Sequence, residues 1–169
     1  GLMVEMIFYG PLMKNYQVSS VYIGGGTPSS IDERWIAALM EGVFDCFNVL
    51  SDAEISIECN PGTLSREKLL AYMDEGINRL SIGLQSANND ELKRLGRIHT
   101  FEQFVTNYEL ARNVGFKNIN VDLMYGLPGQ SASQYMATVN KIIRLHPDHI
   151  SAYSLIVEKG TPVSYTHLT

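Results

Sequence analysis

Two cysteines in 169 residues are too few for a disulfide framework, and Cys46 and Cys59 stand in unrelated contexts without the number or spacing of a metal motif. Both read as packed thiols. Basic charge is also scarce: 13 Lys and Arg against 18 Asp and Glu leave a net charge of -5, with no basic run able to track phosphates. Nucleic acid is therefore not an expected partner. No apolar run reaches the roughly 18 residues of a membrane span, and the opening Gly1-Leu2-Met3-Val4-Glu5-Met6-Ile7 has no basic leader or cleavage site. The expected setting is soluble and cytoplasmic. Domain linkers and low-complexity segments are lacking too. What is present is 45% hydrophobic residues, in a chain long enough to bury one sizeable core.

Five short segments rich in Val, Ile, Leu and Tyr predict strands: Val18 to Ile23, Glu54 to Glu58, Arg79 to Leu84, Ile119 to Met124 and His149 to Ile156. A helical pattern follows each of the first four. Ser30 before Glu33, Asn88 before Glu91, Thr100 before Gln103 and Ser131 before Gln134 have the three-residue spacing of a capping box, and Ser65 opens a helix without it. Gly76 and Gly115 end helices just ahead of strands. This alternation, without a reversing connection, predicts an α/β fold built as a partial parallel β/α barrel. Leu2 to Tyr16 reads as a helix already under way and interrupted at Gly10-Pro11, as in a barrel truncated at its N-terminal unit. Ser164 to Thr169 carries no pattern, so residues 1–163 read as the core and 164–169 as a tail foreign to the natural protein.

Strand parity then sorts the side chains, because alternate residues face the helices and the barrel interior. Ile55 and Ile57, Leu80, Ile82 and Leu84, and Ile119, Val121 and Leu123 form the helix-facing sets. Their neighbours Ser56, Glu58, Ser81, Gly83, Gln85, Asn120 and Asp122 turn inward, joined by Ser20, Tyr22 and Gly24 from the first strand and Ser151 and Tyr153 from the fifth. A closed barrel normally fills its interior with branched apolar side chains, so a polar lumen points to a polar ligand. Any one of these residues alone reads equally as part of a satisfied buried network paired with Arg79 or Arg97. As a set, with Glu58, Gln85 and Asp122 at the C-terminal strand ends where such folds bind ligands, they favour a ligand.

Gly24-Gly25-Gly26-Thr27-Pro28 follows the first strand directly. Three missing side chains let a ligand approach the backbone, with the amides directed at the site. The loop fits neither G-x-G-x-x-G opening a helix nor a phosphate-binding Gly-Lys-Ser/Thr.

The strings YIGGGTPS (Tyr22 to Ser29), IECNPGT (Ile57 to Thr63), NRLSIGLQS (Asn78 to Ser86), LKRLGRIH (Leu92 to His99), NVDLMYGLPGQ (Asn120 to Gln130) and PDHISAYSLIVEKGTP (Pro147 to Pro162) together resemble the HemN/HemW branch of radical S-adenosylmethionine (SAM) proteins. The resemblance runs in order from about Val18 to Pro162. The resemblance implies a partial barrel that binds SAM and a 4Fe-4S cluster, the cluster held by three cysteines spaced C-x3-C-x2-C. That motif precedes the first helix in the family and does not occur in this sequence, so the cluster ligands are expected upstream. Motif by motif, the implied SAM contacts are Gly25, Gly26 and Thr27 of the loop, Glu58, Gln85 and Asp122 at the strand ends, and Arg97 of LGRIH, with backbone near Ile156 on the adenine side. Arg97 suits the SAM carboxylate, Glu58 or loop carbonyls the ammonium, and Asp122 and Gln85 the ribose hydroxyls. His99 is expected to pack or hydrogen-bond locally, while Tyr125, Pro128 and Gly129 shape the loop after the fourth strand.

Within the branch, the NPGT, LQS, LGRIH and YGLPGQ segments resemble the heme chaperones more than the coproporphyrinogen III oxidases. The first expectation is thus a heme-binding protein that passes heme to an acceptor protein. The second is SAM-dependent oxidative decarboxylation of coproporphyrinogen III to protoporphyrinogen IX, and the third an inactive barrel fragment.

Overall fold

The computed structural model describes residues 1–156. The expected 164–169 tail, and the end of the 1–163 core, lie outside these residues. Helix α1 (Leu2–Met13) leads into β1 (Gln17–Ile23), a short 3-10 turn (Pro28–Ser30), α2 (Glu33–Cys46) and β2 (Asn48–Cys59). Then come α3 (Arg66–Asp74), β3 (Arg79–Gln85), α4 (Asn89–Arg94), α5 (Phe101–Val114), β4 (Asn118–Tyr125), α6 (Ala132–Ile143) and β5 (His149–Ser154). The five strands pair in sequence order, β1-β2-β3-β4-β5, and every pairing is parallel. The sheet curls into a partial β/α barrel with helices on its outer face.

Parity accounts for the core. Ile55, Ile57, Leu80, Ile82, Leu84, Ile119, Val121 and Leu123 all lie in one buried cluster with Ile36, Met40, Leu69, Tyr72, Phe104 and Ile142 from the helices. Their alternates on the concave face, Ser56, Ser81, Gln85 and Asn120, are buried and polar. A shift of any of these strands by one residue would exchange the two sets, so the register that buries the aliphatic face also builds the polar one.

Four local expectations need correction. Helix α1 runs through Gly10-Pro11 without a break. Pro11 forfeits one backbone bond, but a Cβ at Gly10 would stand 2.8 Å from the Cys46 carbonyl oxygen, so the pair permits a close approach of α1 to the end of α2. The cap of α2 is Asp32, which accepts from the Arg34 amide at 3.0 Å, and not Ser30. Pro28 starts a turn of its own, and within it Ser30 Oγ donates back to the Thr27 carbonyl at 2.7 Å. Asn88 does cap α4, but Glu91 turns inward and leaves the box incomplete. Strand β2 also begins earlier than expected, because its pairing with β1 resumes at Asn48 and Val49 beyond an irregularity in register.

Complete capping boxes start α5 at Thr100 with Gln103 and α6 at Ser131 with Gln134. Thr100 Oγ1 accepts from the Gln103 amide at 3.3 Å, and Gln103 Oε1 accepts from the Thr100 amide at 2.9 Å. In the full-length protein, Thr100→Ala is expected to lower stability by about 1 kcal/mol, with Thr100→Ser restoring most of it. Urea unfolding at unchanged m value measures this; identical midpoints for Thr100→Ala and the parent would show that the cap contributes nothing. Among the described residues no helix is long and apolar enough to cross a membrane.

Candidate functional site

At the C-terminal ends of the strands a cavity of about 180 Å³ is lined by Gly26, Thr27, Pro28, Glu58, Cys59, Asn60, Ser81, Gly83, Gln85, Arg97 and Asp122. Six of the residues named as SAM contacts, Gly26, Thr27, Glu58, Gln85, Arg97 and Asp122, meet there, with inward-facing Ser81 and Gly83 beside them. Gly25 does not line the cavity: its amide donates to Glu58 Oε2 at 3.0 Å, so this loop amide is already engaged. Ile156 lies beyond β5, is 75% exposed and does not line the cavity.

The three loop glycines have separate causes. A Cβ on Gly24 would come within 2.7 Å of the Tyr22 ring and 3.1 Å of the Glu58 carboxyl carbon, whereas Gly25 and Gly26 need positive φ, +86° and +63°. Glu58 ties this loop to β2, because it also accepts from the Tyr22 hydroxyl at 2.9 Å. Burial, that hydrogen bond and the nearby Glu58 and Asp122 charges push the Tyr22 phenol up to about 12. The loop is held from below by Ser29, which is buried. Ser29 Oγ accepts from the Asn60 amide at 2.9 Å and meets Thr63 Oγ1 at 2.7 Å, while Lys68 Nζ donates to the Ser29 carbonyl at 2.7 Å.

Arg97 reaches the cavity through the way α4 ends. Gly96, at φ +68°, closes the last turn with its amide on the Lys93 carbonyl, and the Arg97 amide returns to the Leu92 carbonyl at 2.9 Å. The guanidinium is half-buried and forms no salt bridge among the described residues. Burial lowers its pKa and the Asp122 charge opposes that shift, yet a guanidinium stays protonated, leaving an uncommitted cation in the wall. Gln85 adopts positive φ, +76°, where the β3–β4 register skips a residue, and its amide folds back over Gly83, whose Cβ would lie 3.1 Å from Gln85 Nε2.

His99 is buried and its Nε2 lies 3.3 Å from the Leu84 carbonyl, which makes Nε2 the protonated nitrogen. Burial lowers its pKa, the Leu84 bond opposes this and the Arg97 charge reinforces it, as suits the packing role expected of it. The Gly126 to Gln130 loop is fastened by Arg94, which donates to the Pro128 carbonyl at 2.7 Å. Sequence reasoning missed Asn60. Its Oδ1 is buried in the cavity wall without a hydrogen-bond partner among the described residues, and its only sequence signal was membership of NPGT.

A model of the radical SAM superfamily matches residues 11–142. The chain is 41% identical over 145 residues to the heme chaperone HemW of Bacillus subtilis (strain 168), covering 85% of this chain and 38% of that protein. It is 40% identical to the heme chaperone HemW of Escherichia coli (strain K12), with 86% of this chain and 38% of the relative covered. Coproporphyrinogen III oxidase (HemN) from Escherichia coli superimposes with a TM-score of 0.85 at 34% identity, over 92% of this chain and 36% of that one. The chain thus spans well under half the length of these relatives. With a superfamily match over most of its residues and a shared half-barrel, the chain belongs to the radical SAM superfamily, in the HemW and HemN branch.

Proposed function

We propose that the cavity binds SAM and that the full-length protein binds heme and passes it to an acceptor protein. The wall fits the methionine end of SAM chemically: Arg97 offers a cation for a carboxylate, Glu58 and Asp122 offer acceptors for an ammonium or hydroxyls, and the unpartnered Asn60 Oδ1 accepts one donor more. Gly26 has open space where a Cβ would stand, which leaves its backbone approachable. When bound, SAM supplies a sulfonium centre; the residues of this chain would hold and orient it. The cluster that the superfamily implies does not fit the residues present. Among the described residues no group of three His, Cys, Asp or Glu can hold a metal ion, and Cys46 and Cys59 belong to different elements.

The observation that carries the heme reading is the sequence similarity to two heme chaperones over most of the chain, above that to the oxidase. A carrier needs an exchangeable heme surface, whereas an oxidase must bring a propionate carbon to a SAM-derived radical and shield it. The full-length protein is expected to take up heme stoichiometrically, followed at the Soret band, and to form little or no protoporphyrinogen when given SAM, reductant and coproporphyrinogen III. Many turnovers of decarboxylation without stable heme uptake would replace the chaperone reading with the oxidase.

A further inference from the structure

Asp122 is the acidic residue of the cavity whose two oxygens are both held from within the sheet. Ser81 Oγ on β3 donates to Asp122 Oδ2 at 3.0 Å, and Asn120 Nδ2 on β4 donates to Asp122 Oδ1 at 2.8 Å. Asn120 Nδ2 also donates to Ser81 Oγ at 2.8 Å, so the three side chains close a ring in which each N–H and O–H has one acceptor. On the far side, Asn120 Oδ1 receives Ser151 Oγ at 3.0 Å and His149 Nδ1 at 2.5 Å, both from β5. An amide oxygen can only accept, so His149 Nδ1 carries a proton in this arrangement. The amide has one usable orientation, because the reverse would set its oxygen against the Asp122 carboxylate. Asn120 is 1% exposed and does not line the cavity.

We infer that Asn120 is a positioning residue for the SAM site: it transmits the seating of β5, through His149 and Ser151, to the carboxylate of Asp122. The inference rests on the reading of the cavity as the SAM site. Asp122 is a short side chain with a broad terminal torsion, and two donors from one face fix that torsion while leaving its outward lone pairs for a ligand hydroxyl or ammonium. Apolar isosteres at Asn120 would free the carboxylate to rotate and would strip Ser81 of one partner. The ring spans β3 and β4 and its anchors lie on β5, so three strands share in setting one ligand group.

The test is a double-mutant cycle in the full-length protein, with SAM binding measured by calorimetry without reductant. Asn120→Ala is expected to weaken SAM binding about five- to ten-fold in the parent background and less than about two-fold when Asp122 is already Ala. General damage to the fold would instead weaken binding equally in both. Ser81→Ala and Ser151→Ala, which perturb the ring from opposite sides, are each expected to weaken binding about two- to three-fold, and they decide the matter if Asn120→Ala does not fold. Equal losses in both backgrounds, or parental affinity in Ser81→Ala and Ser151→Ala together, overturn the inference. Parental affinity in Asp122→Ala overturns the cavity reading along with it; weak binding in Asp122→Ala with parental affinity in Asn120→Ala overturns the positioning role alone.

Discussion

Iron and sulfide analysis after anaerobic reconstitution of this chain is expected to find no stoichiometric 4Fe-4S centre. A cluster in this superfamily needs three thiolates on one short loop, and the chain offers two thiols on two elements. Cys59 is buried at the end of β2, its Sγ turned to the Ile57 carbonyl at 3.7 Å, and burial pushes the thiol far above its ordinary pKa. That disfavours the thiolate a metal requires. Cys46 is the last residue of α2, beside Gly10 of α1. A full complement of iron and sulfide on the isolated chain, with the charge-transfer absorption of a cluster, would show that ligands were assembled from residues given no such role here.

Arg97→Ala in the full-length protein is expected to weaken SAM binding by about one to two decades, and Asp122→Ala to do the same, with the fold intact in both. Each removes a charge-assisted contact of roughly 1.5–3 kcal/mol from a half-buried wall. Arg97 should be tolerant of removal because it makes no salt bridge among the described residues, so no partner is left stranded. Asp122→Ala unseats only the Ser81 and Asn120 donors, which retain each other. Arg97→Lys is expected to restore only part of the affinity, since an ammonium cannot present the forked donors that match a carboxylate. Calorimetric titration with circular dichroism as the folding control decides it, and parental affinity in both alanine variants would assign the two side chains to structure alone.

The sheet was legible in the sequence because its faces differ in chemistry at every step. Ile57 beside Glu58, Leu80 beside Ser81 and Val121 beside Asp122 leave only one register that keeps carboxylates out of an aliphatic core, and that register brings Glu58, Gln85 and Asp122 to one end. Helix starts were legible where one residue competes for the cap, as at Thr100 and Ser131, and not where Ser30 and Asp32 stand two apart and Pro28 opens a turn before them. The continuity of α1 was hidden because a proline signals a break locally, while the packing of Gly10 on Cys46 that accompanies it is tertiary. The same holds for the cavity. Asn60 carries no periodic or charge signal, and the engagement of the Gly25 amide by Glu58 exists only once β1 and β2 are paired.

The sequential order of the strands also governs how this sheet can be assembled. Among the described residues each strand pairs only with its neighbours in sequence, reached through an intervening helical segment, so no strand must wait for a partner made much later. In N-to-C synthesis each strand from β2 to β5 therefore has the edge of the preceding strand to pair with. The polar wall grows in the same direction: the loop of β1 waits for Glu58, Ser81 waits for Asp122, and Asn120 receives its last anchors only with β5. Synthesis therefore extends the hydrophobic layer and the ligand-facing wall together, strand by strand, and among the described residues the ring around Asn120 gains its anchors with β5.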